Sequence, residues 1–456
     1  MKPGRHYLLL ASLAALVLVA SQGLLAYATE RSQTVQLLGL LAVGTAAYLV
    51  LLRGNLPLRA GLLLALVLRL IWLPAMPRLS DDYHRFRWDG LLVATGQNPY
   101  QHRPDEFRAG GGALTGPAEL SPALFKQLNS PRYYSLYPPV SQAAFGVAAW
   151  LFPASETGFV LVLRGLLLLA EAASAGLLLR LLLQWHLPVQ RAFWYLLHPM
   201  VVAELTGNLH FEALVVTGLL LTCWLLVQHR VVGAAVVLGG AVAAKLTPLL
   251  LLPLLLRRLG LRACVLLGAG TLLTLGLLFT PFASVELVQH FGSSLNLYFH
   301  SFEFNASIYY LFRALGIWLT GYNQIAHIGT LLLGLAVLGI LVFVALERRP
   351  TLAGLPGALL LLFTGYYALS TTVHPWYLAP LVALSCFSGW RYPAAWASLA
   401  ALSYAAYRTP AYTEDLRLVA LEYLGVLLVM ALDWRRRGET GNIAPPAKPI
   451  QDNHLA

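Results

Sequence analysis

Charge is scarce in this sequence. Of 456 residues, 11% are Asp, Glu, Lys or Arg and 58% are hydrophobic, whereas a soluble globular chain carries about 25% charged residues. The deficit comes from repeated apolar runs of roughly 18–22 residues, which a bilayer requires and an aqueous core does not. Cysteine is almost missing. Cys223, Cys264 and Cys386 lie in or beside apolar runs without CxxC spacing, which excludes a disulfide framework and a cysteine zinc site and leaves packing as their role. There is no GxxxxGK[ST] phosphate loop and no HExxH pair. The short alternating segments of an outer-membrane barrel do not dominate. No stretch between the apolar runs is large enough for a soluble catalytic domain, so any chemistry must use the membrane domain and its loops. The composition therefore predicts an all-α, polytopic transmembrane helix bundle.

The charge that is present is placed by topology. The net charge is +11, but the basic residues cap apolar runs: Lys2, Arg5, Arg53, Arg59, Arg257, Arg258, Arg262, Arg348, Arg349, Arg391 and Arg435 to Arg437. That is the positive-inside pattern, with contact to anionic lipid, and not a nucleic-acid surface. The N-terminal "MKPGRHYLLLASLAALVLVASQGLLAYATE" has a basic start and an Ala26-Tyr27-Ala28 site, yet its apolar region exceeds the roughly 7–15 residues of a signal peptide. It is expected to be a first transmembrane helix. Three helices at 7–28, 35–52 and 60–75 lead to the longest polar stretch, 76–136, which by this count is extracytoplasmic. Further apolar segments run at 138–153, 157–184, 192–205, 209–228, 232–257, 263–281, 325–346, 352–370, 375–389, 393–407 and 416–433. The segment 192–205 is short enough to be a full span or a re-entrant piece. The run 232–257 is broken by Pro248 and Pro253 and can form two half-length helices where protein covers the broken backbone. About 12 spans follow, in a single domain over 1–433, with a disordered cytoplasmic tail at 434–456. The expectation is a multi-pass protein of the inner (cytoplasmic) membrane with both termini in the cytoplasm.

Polar clusters stand where helices meet the expected outer face: "LSDDYHRFRWDGLLVATGQNPY" (79–100), "YYSLYPPVSQ" (133–142), "HPMVVAELTGNLHFEALVV" (198–216), "SFEFNASIYYLFR" (301–313) and "VHPWYLAP" (373–380). Lys245 adds a cation inside the apolar "AVAAKLTPLLLLP", where a charge is costly unless it faces a cavity or a partner. Capping of the helix after Ser80 accounts for one carboxylate of Asp81 and Asp82, not for two plus Asp89. A carboxylate at a lipid–water boundary suits a general base. Arg85, Arg87, Lys245 and the histidines His210, His300 and His374 are candidate phosphate ligands. Trp88, Tyr100, Tyr133, Tyr134, Tyr137, Trp376 and Tyr377 form either an interfacial aromatic belt or a surface for sugar rings and lipid chains. Asn305-Ala306-Ser307 fits a glycosylation acceptor. Adjacent aspartates can also take Mg²⁺ or Mn²⁺ through oxygen, without a complete ligand set in view; no other cofactor is expected.

In combination, "SDDYHRFRWDG…GQNPY", "YPPV", "GNLHFEALVV", "KLTPLLLLP", "FEFNASIYYLFR" and "HPWYLAP" resemble the bacterial polyprenol-phosphate-sugar-dependent glycosyltransferases of the GT-C fold, the mannosyltransferase branch above all, over about residues 60–390. The resemblance implies a membrane enzyme with an acidic motif in an outward loop, a polyprenyl-phosphate-linked sugar donor, a glycan or glycolipid acceptor, and inversion at the anomeric carbon. It implies that Asp81 is the base and Asp82 the second acidic position. Arg85, Trp88, Asp89, Asn98, Tyr100, Tyr137, Asn208, His210, Glu212, Lys245, Asn305, His374 and Tyr377 are the expected substrate-binding residues. His84 and Phe86 depart from the usual pattern after the acidic pair, and Glu212 stands where Asp is more usual. A transporter or flippase of a lipid-linked saccharide is the competing reading. The absence of a clear repeat between the halves counts against it, as does the large polar loop. A non-enzymatic structural membrane partner is the third.

Overall fold

A computed structural model describes residues 5–54, 56–109, 116–409 and 411–439; Lys2 and residues 440–456 of the expected tail lie outside that set. Leu- and Ala-rich runs are strong helix formers, and helix is the dominant structure among the described residues. The main helices are α1 (Arg5–Ala28), α2 (Thr34–Arg53), α3 (Leu58–Trp72), α4 (Asp82–Ala94), α5 (Pro139–Leu151), α6 (Glu156–Gln184), α7 (Glu212–Val227), α8 (Val231–Val242), α9 (Leu252–Phe279), α10 (Val285–Ser301), α11 (Ile308–Thr320), α12 (Ile325–Leu346), α13 (Leu355–Ala368), α14 (Ala379–Ser388) and α15 (Leu416–Glu439). Among the described residues the β pairing is limited to isolated contact of Phe304 with Thr372. Five helices are long and apolar enough to cross a membrane: α1, α2, α6, Thr247–Phe282 and α12. The pair Pro199–Gly207 and Glu212–Val227, bent by 109°, makes a sixth if it is one span. Their outer surfaces carry exposed leucines such as Leu9, Leu169 and Leu338, as helices facing lipid do.

One end of the bundle is basic. There Arg257 donates to the carbonyls of Val344, Ala345 and Glu347, and Arg258 pairs with the Glu347 carboxylate. Arg437 donates to the Ser388 carbonyl and lies 3.9 Å from the Trp390 ring centroid. The Arg437 contacts lie on the last turns of α15, which continues through Asp433 to Glu439, past the expected boundary at 433. Lys245 lies at the other end, the site end. From there the chain runs back to the basic end and reverses at Gly260, whose φ of 75° and ψ of 167° fall in a region open essentially to glycine. The rest of α9 then runs in the same direction as α8: Thr271 Oγ1 donates to the Ala235 carbonyl, and Gly239 abuts Thr274.

The apolar segment expected at 138–153 does not cross the bundle. Its helix α5 has 13 residues, or about 20 Å, against a hydrocarbon core of about 30 Å. Both of its ends lie near the site end. Val140 N–H donates to the Ala243 carbonyl, and Arg87 reaches the Pro153 carbonyl at 2.8 Å. Helices α4 and α5 instead form a layer across that end, so close that a Cβ on Gly90 would come within 2.5 Å of the Phe145 carbonyl oxygen.

Ionic groups inside the bundle hold it together. Arg69 of α3 pairs with Glu171 of α6, both buried, and Glu171 also accepts from Thr206 Oγ1 at 2.7 Å. Arg164 of α6, fully buried, donates to the carbonyls of Leu73 (2.9 Å), Ala75 (2.6 Å), Thr206 (2.8 Å) and Gly207 (3.0 Å). Breaking a buried pair leaves an uncompensated charge, so Glu171→Leu is expected to lose about 3–5 kcal/mol of stability. The double variant Arg69→Met/Glu171→Leu should recover most of that loss, as measured by thermal unfolding in detergent.

Candidate active site

The sequence Ser80-Asp81-Asp82 starts α4. Asp81 occupies the N-cap position but its side chain caps nothing; Ser80 Oγ accepts from the Asp82 N–H instead, at 3.3 Å. Both carboxylates are thus released for other partners, and they turn apart. Asp81 pairs with Arg31, which stands in the turn between α1 and α2. Asp82 accepts from Asn129 Nδ2 at 2.7 Å through Oδ1, while Oδ2 lies 3.7 Å from His210 Nε2.

His210 belongs to the break between Pro199–Gly207 and α7. Residues Val202–Gly207 form a π-helical turn, a feature often found at functional sites. Leu209 follows with φ of 64°, a conformation unusual for leucine, and the chain turns so that the imidazole contacts two carboxylates. Its Nδ1 is 3.1 Å from Glu204 Oε2. Glu204 is in turn held by Tyr404 Oη at 2.5 Å and by Asn208 Nδ2 at 3.0 Å. Burial disfavours a charged imidazole, but Asp82 and Glu204 outweigh it and push His210 up to about 9. In reverse, burial would raise the Asp82 carboxyl, and the nearby His210, with help from His374 and Asn129, holds it below its usual value. At neutral pH the pair is carboxylate and imidazolium.

A pile of rings backs this pair. His210 stacks on Trp376 at 3.8 Å, Trp376 on His374 at 4.3 Å, and His374 on Phe304 at 4.7 Å. Phe304 is fixed by backbone hydrogen bonds to Thr371 and Val373. Burial depresses His374 to about 3, with Lys245 and His210 adding to the effect and Asp82 opposing it, so it stays neutral. Beside the pile, Lys245 pairs with Glu212 and lies 4.1 Å from the Tyr377 ring centroid. Four charged side chains of this cluster remain partly open to solvent: Asp81 (32%), Asp82 (23%), Arg31 (21%) and Lys245 (28%).

The structure thus brings together Asp81, Asp82, Asn208, His210, Glu212, Lys245, His374 and Tyr377. Tyr137 packs nearby against Phe86 and Phe145. Other expected substrate ligands are spent inside the protein. Buried Arg85 binds Asp89 at 2.8 Å and the carbonyls of Ser130 and Tyr133, while Asp89 also takes Ser135 Oγ at 2.5 Å and Gln142 at 3.2 Å. The i, i+4 spacing on α4 lets these two charges satisfy each other. Asn98 and Tyr100 shape the turn after α4, through bonds to the carbonyls of Phe282 and Tyr137. Trp88 is buried beside a cavity lined by Phe107, Leu120 and Phe125, which shares no lining residue with the carboxylate cluster. Asn305 is buried against Glu422 at 3.1 Å, which removes it from the cluster and from glycosylation in the folded chain. His300 bonds to Thr330 on α12.

Sequence reasoning missed Arg31, Asn129, Glu204, Tyr404 and Tyr407. Glu204 carried a signal, since a lone carboxylate in an apolar run is expensive without a partner. Among the described residues no three His, Cys, Asp or Glu side chains are grouped to hold a metal ion. Asp81 and Asp82 face different partners, so they do not fit the shared Mg²⁺ or Mn²⁺ site that adjacent aspartates suggest. The charge balance at His210 is testable. Histidine side-chain NMR of the solubilised protein should show it titrating near pH 9, and Asp82→Asn should lower that midpoint by removing a partner of the charged form. An unchanged midpoint would mean that Asp82 does not hold the imidazolium.

With this geometry in place, comparison with known proteins is direct. Residues 8–259 match the family model described as alpha-(1->6)-mannopyranosyltransferase, N-terminal domain. A search of curated proteins finds no match. The matched region covers more than half of the chain and contains both aspartates, His210, Glu212 and Lys245. It ends before the ring pile is completed by Phe304, His374 and Trp376. This membrane-embedded, all-helical chain is a glycosyltransferase, and it belongs to the alpha-(1->6)-mannopyranosyltransferase family.

Proposed function

We propose that the chain transfers mannose from a polyprenyl-phosphate donor to a hydroxyl of a glycan or glycolipid acceptor, with inversion, at the outer face of the inner membrane. The observation that carries this reading is the placement of two differently partnered carboxylates at one end of a helix bundle whose flanks suit lipid. A lipid-borne phosphate and a water-borne hydroxyl can meet there. Basic residues gathering at the opposite end support an outward 76–136 loop.

The two aspartates have different tasks. Asp82 is held by Asn129 on one oxygen and faces His210 with the other, and His210 keeps it ionised; it orients the site. Asp81 has a single charged partner on a turn and is the more exposed. It is the base. In the transfer, Asp81 takes the proton of the acceptor hydroxyl while that oxygen attacks the anomeric carbon. The bond from that carbon to the phosphate oxygen breaks, and its electron pair leaves with the polyprenyl phosphate. The His210 imidazolium and Lys245 supply positive charge toward the departing anion. Neutral His374 and the Tyr377 ring offer a hydrogen bond and an apolar face to a sugar. One base opposite the leaving group suffices for inversion, and no carboxylate nucleophile is required.

The test is label transfer from radiolabelled polyprenyl-phosphate-mannose to membrane acceptors by the purified protein in proteoliposomes. Asp81→Asn should cut the rate by about 10²–10⁴-fold with donor binding retained. Transfer at the wild-type rate would remove Asp81 from the base role. Movement of labelled donor across the bilayer without product would support the transporter reading instead.

A further inference from the structure

Arg31 was not among the residues that motif patterns single out, yet it holds the carboxylate assigned as base. Its Nη2 contacts both Asp81 Oδ2 and, at 3.2 Å, Tyr412 Oη. The guanidinium lies 4.9 Å from the Tyr407 ring centroid and 5.7 Å from that of Tyr412. Among the described residues both hydrogen bonds leave from one nitrogen, so most of the five-donor fork is unspent. The pair is partly open on both sides. The other guanidinium expected at a phosphate, Arg85, is sealed by Asp89 and two carbonyls. Lys245 is paired with Glu212 and offers a point charge rather than a fork. Arg31 therefore combines a planar fork suited to phosphate oxygens, aromatic faces that hold it in place, and a partner that solvent and ligand can reach.

We propose that Arg31 binds the phosphate of the lipid-linked donor and in doing so releases Asp81, so that the base is freed only once the donor is seated. This rests on the function proposed above, with Asp81 as the base. The donor phosphodiester carries one negative charge. As its bond to the anomeric carbon breaks, the electron pair passes to the phosphate oxygen, the lipid phosphate gains a second negative charge, and the acceptor proton moves to Asp81. A guanidinium bound to that phosphate is better matched to the products' charge than to the substrate's, which favours the transition state. Before the donor arrives, the same guanidinium occupies the base, so the donor binds first and the acceptor second.

The test is equilibrium binding of a short-chain polyprenyl-phosphate-mannose to the purified full-length protein without acceptor, alongside initial rates. Arg31→Gln should weaken donor binding about tenfold or more and leave the acceptor KM unchanged, and Arg31→Lys should restore part of the affinity. Asp81→Asn should bind donor several-fold more tightly than wild type, because Arg31 no longer has to leave a carboxylate. That gain should vanish in Arg31→Gln/Asp81→Asn. Donor affinity unchanged by Arg31→Gln, or not improved by Asp81→Asn, overturns the proposal while wild-type transfer of mannose leaves the function standing. A wild-type protein that binds and transfers no polyprenyl-phosphate sugar overturns the function and this inference with it.

Discussion

The site depends on one buried guanidinium. Arg164 sits in the middle of a helix that faces lipid, where a lone charge is costly, and it donates to four carbonyls that no helix satisfies. Two belong to the end of α3 and two to the end of the π-helical turn. Unpaired carbonyls in a dry interior are costly as well, so each side of the arrangement requires the other. The result is mechanical. The strand of chain that leads from α3 to Asp81 and Asp82 is tied to the strand that leads to Asn208 and His210. The 3.7 Å spacing of Asp82 and His210 is set by a residue that touches neither.

Two parts of the sequence meet at that spacing. The part that matches the family supplies the charged groups. The part beyond it supplies Phe304, His374, Trp376, Tyr404 and Tyr407, which are mostly rings. The rings are not ornaments to the charge. Trp376 lies flat against His210 and shields one face of the imidazolium, and Tyr404 fixes the Glu204 carboxylate that keeps it protonated. The charges of His210 and Glu204 interact strongly because both groups are buried, and the rings help to keep water from them.

Most of the helical framework was legible in the sequence, because an apolar run of about 20 residues bounded by arginine or by turn residues admits few other readings. Helix α5 was misjudged for a physical reason. Hydropathy records how apolar a segment is but not where its two ends lie, and here both lie at the site end. The acidic pair was legible since two adjacent carboxylates exceed what a cap needs. Arg85 and Asp89 were overvalued, because an i, i+4 pair on one helix can neutralise itself. Arg31 was invisible, as its partner stands 50 positions away in a turn with no pattern of its own. Tyr404 and Tyr407 went unnoticed because nothing in their local sequence sets them apart until the fold brings them over the carboxylates.

The reversal at Gly260 has a consequence for how the molecule is put together. The glycine lies at the end remote from the carboxylates, and the family match stops one residue before it. The chain is therefore jointed at a place where no group of the charged cluster is attached. On one side of the joint lie the charged groups of the cluster, and on the other the rings that back them. The two segments could be inherited, exchanged or severed as separate pieces, held in register only by their shared faces. A substitution in the segment after the joint changes the rings that line the cluster and leaves the sequence of its charged groups untouched.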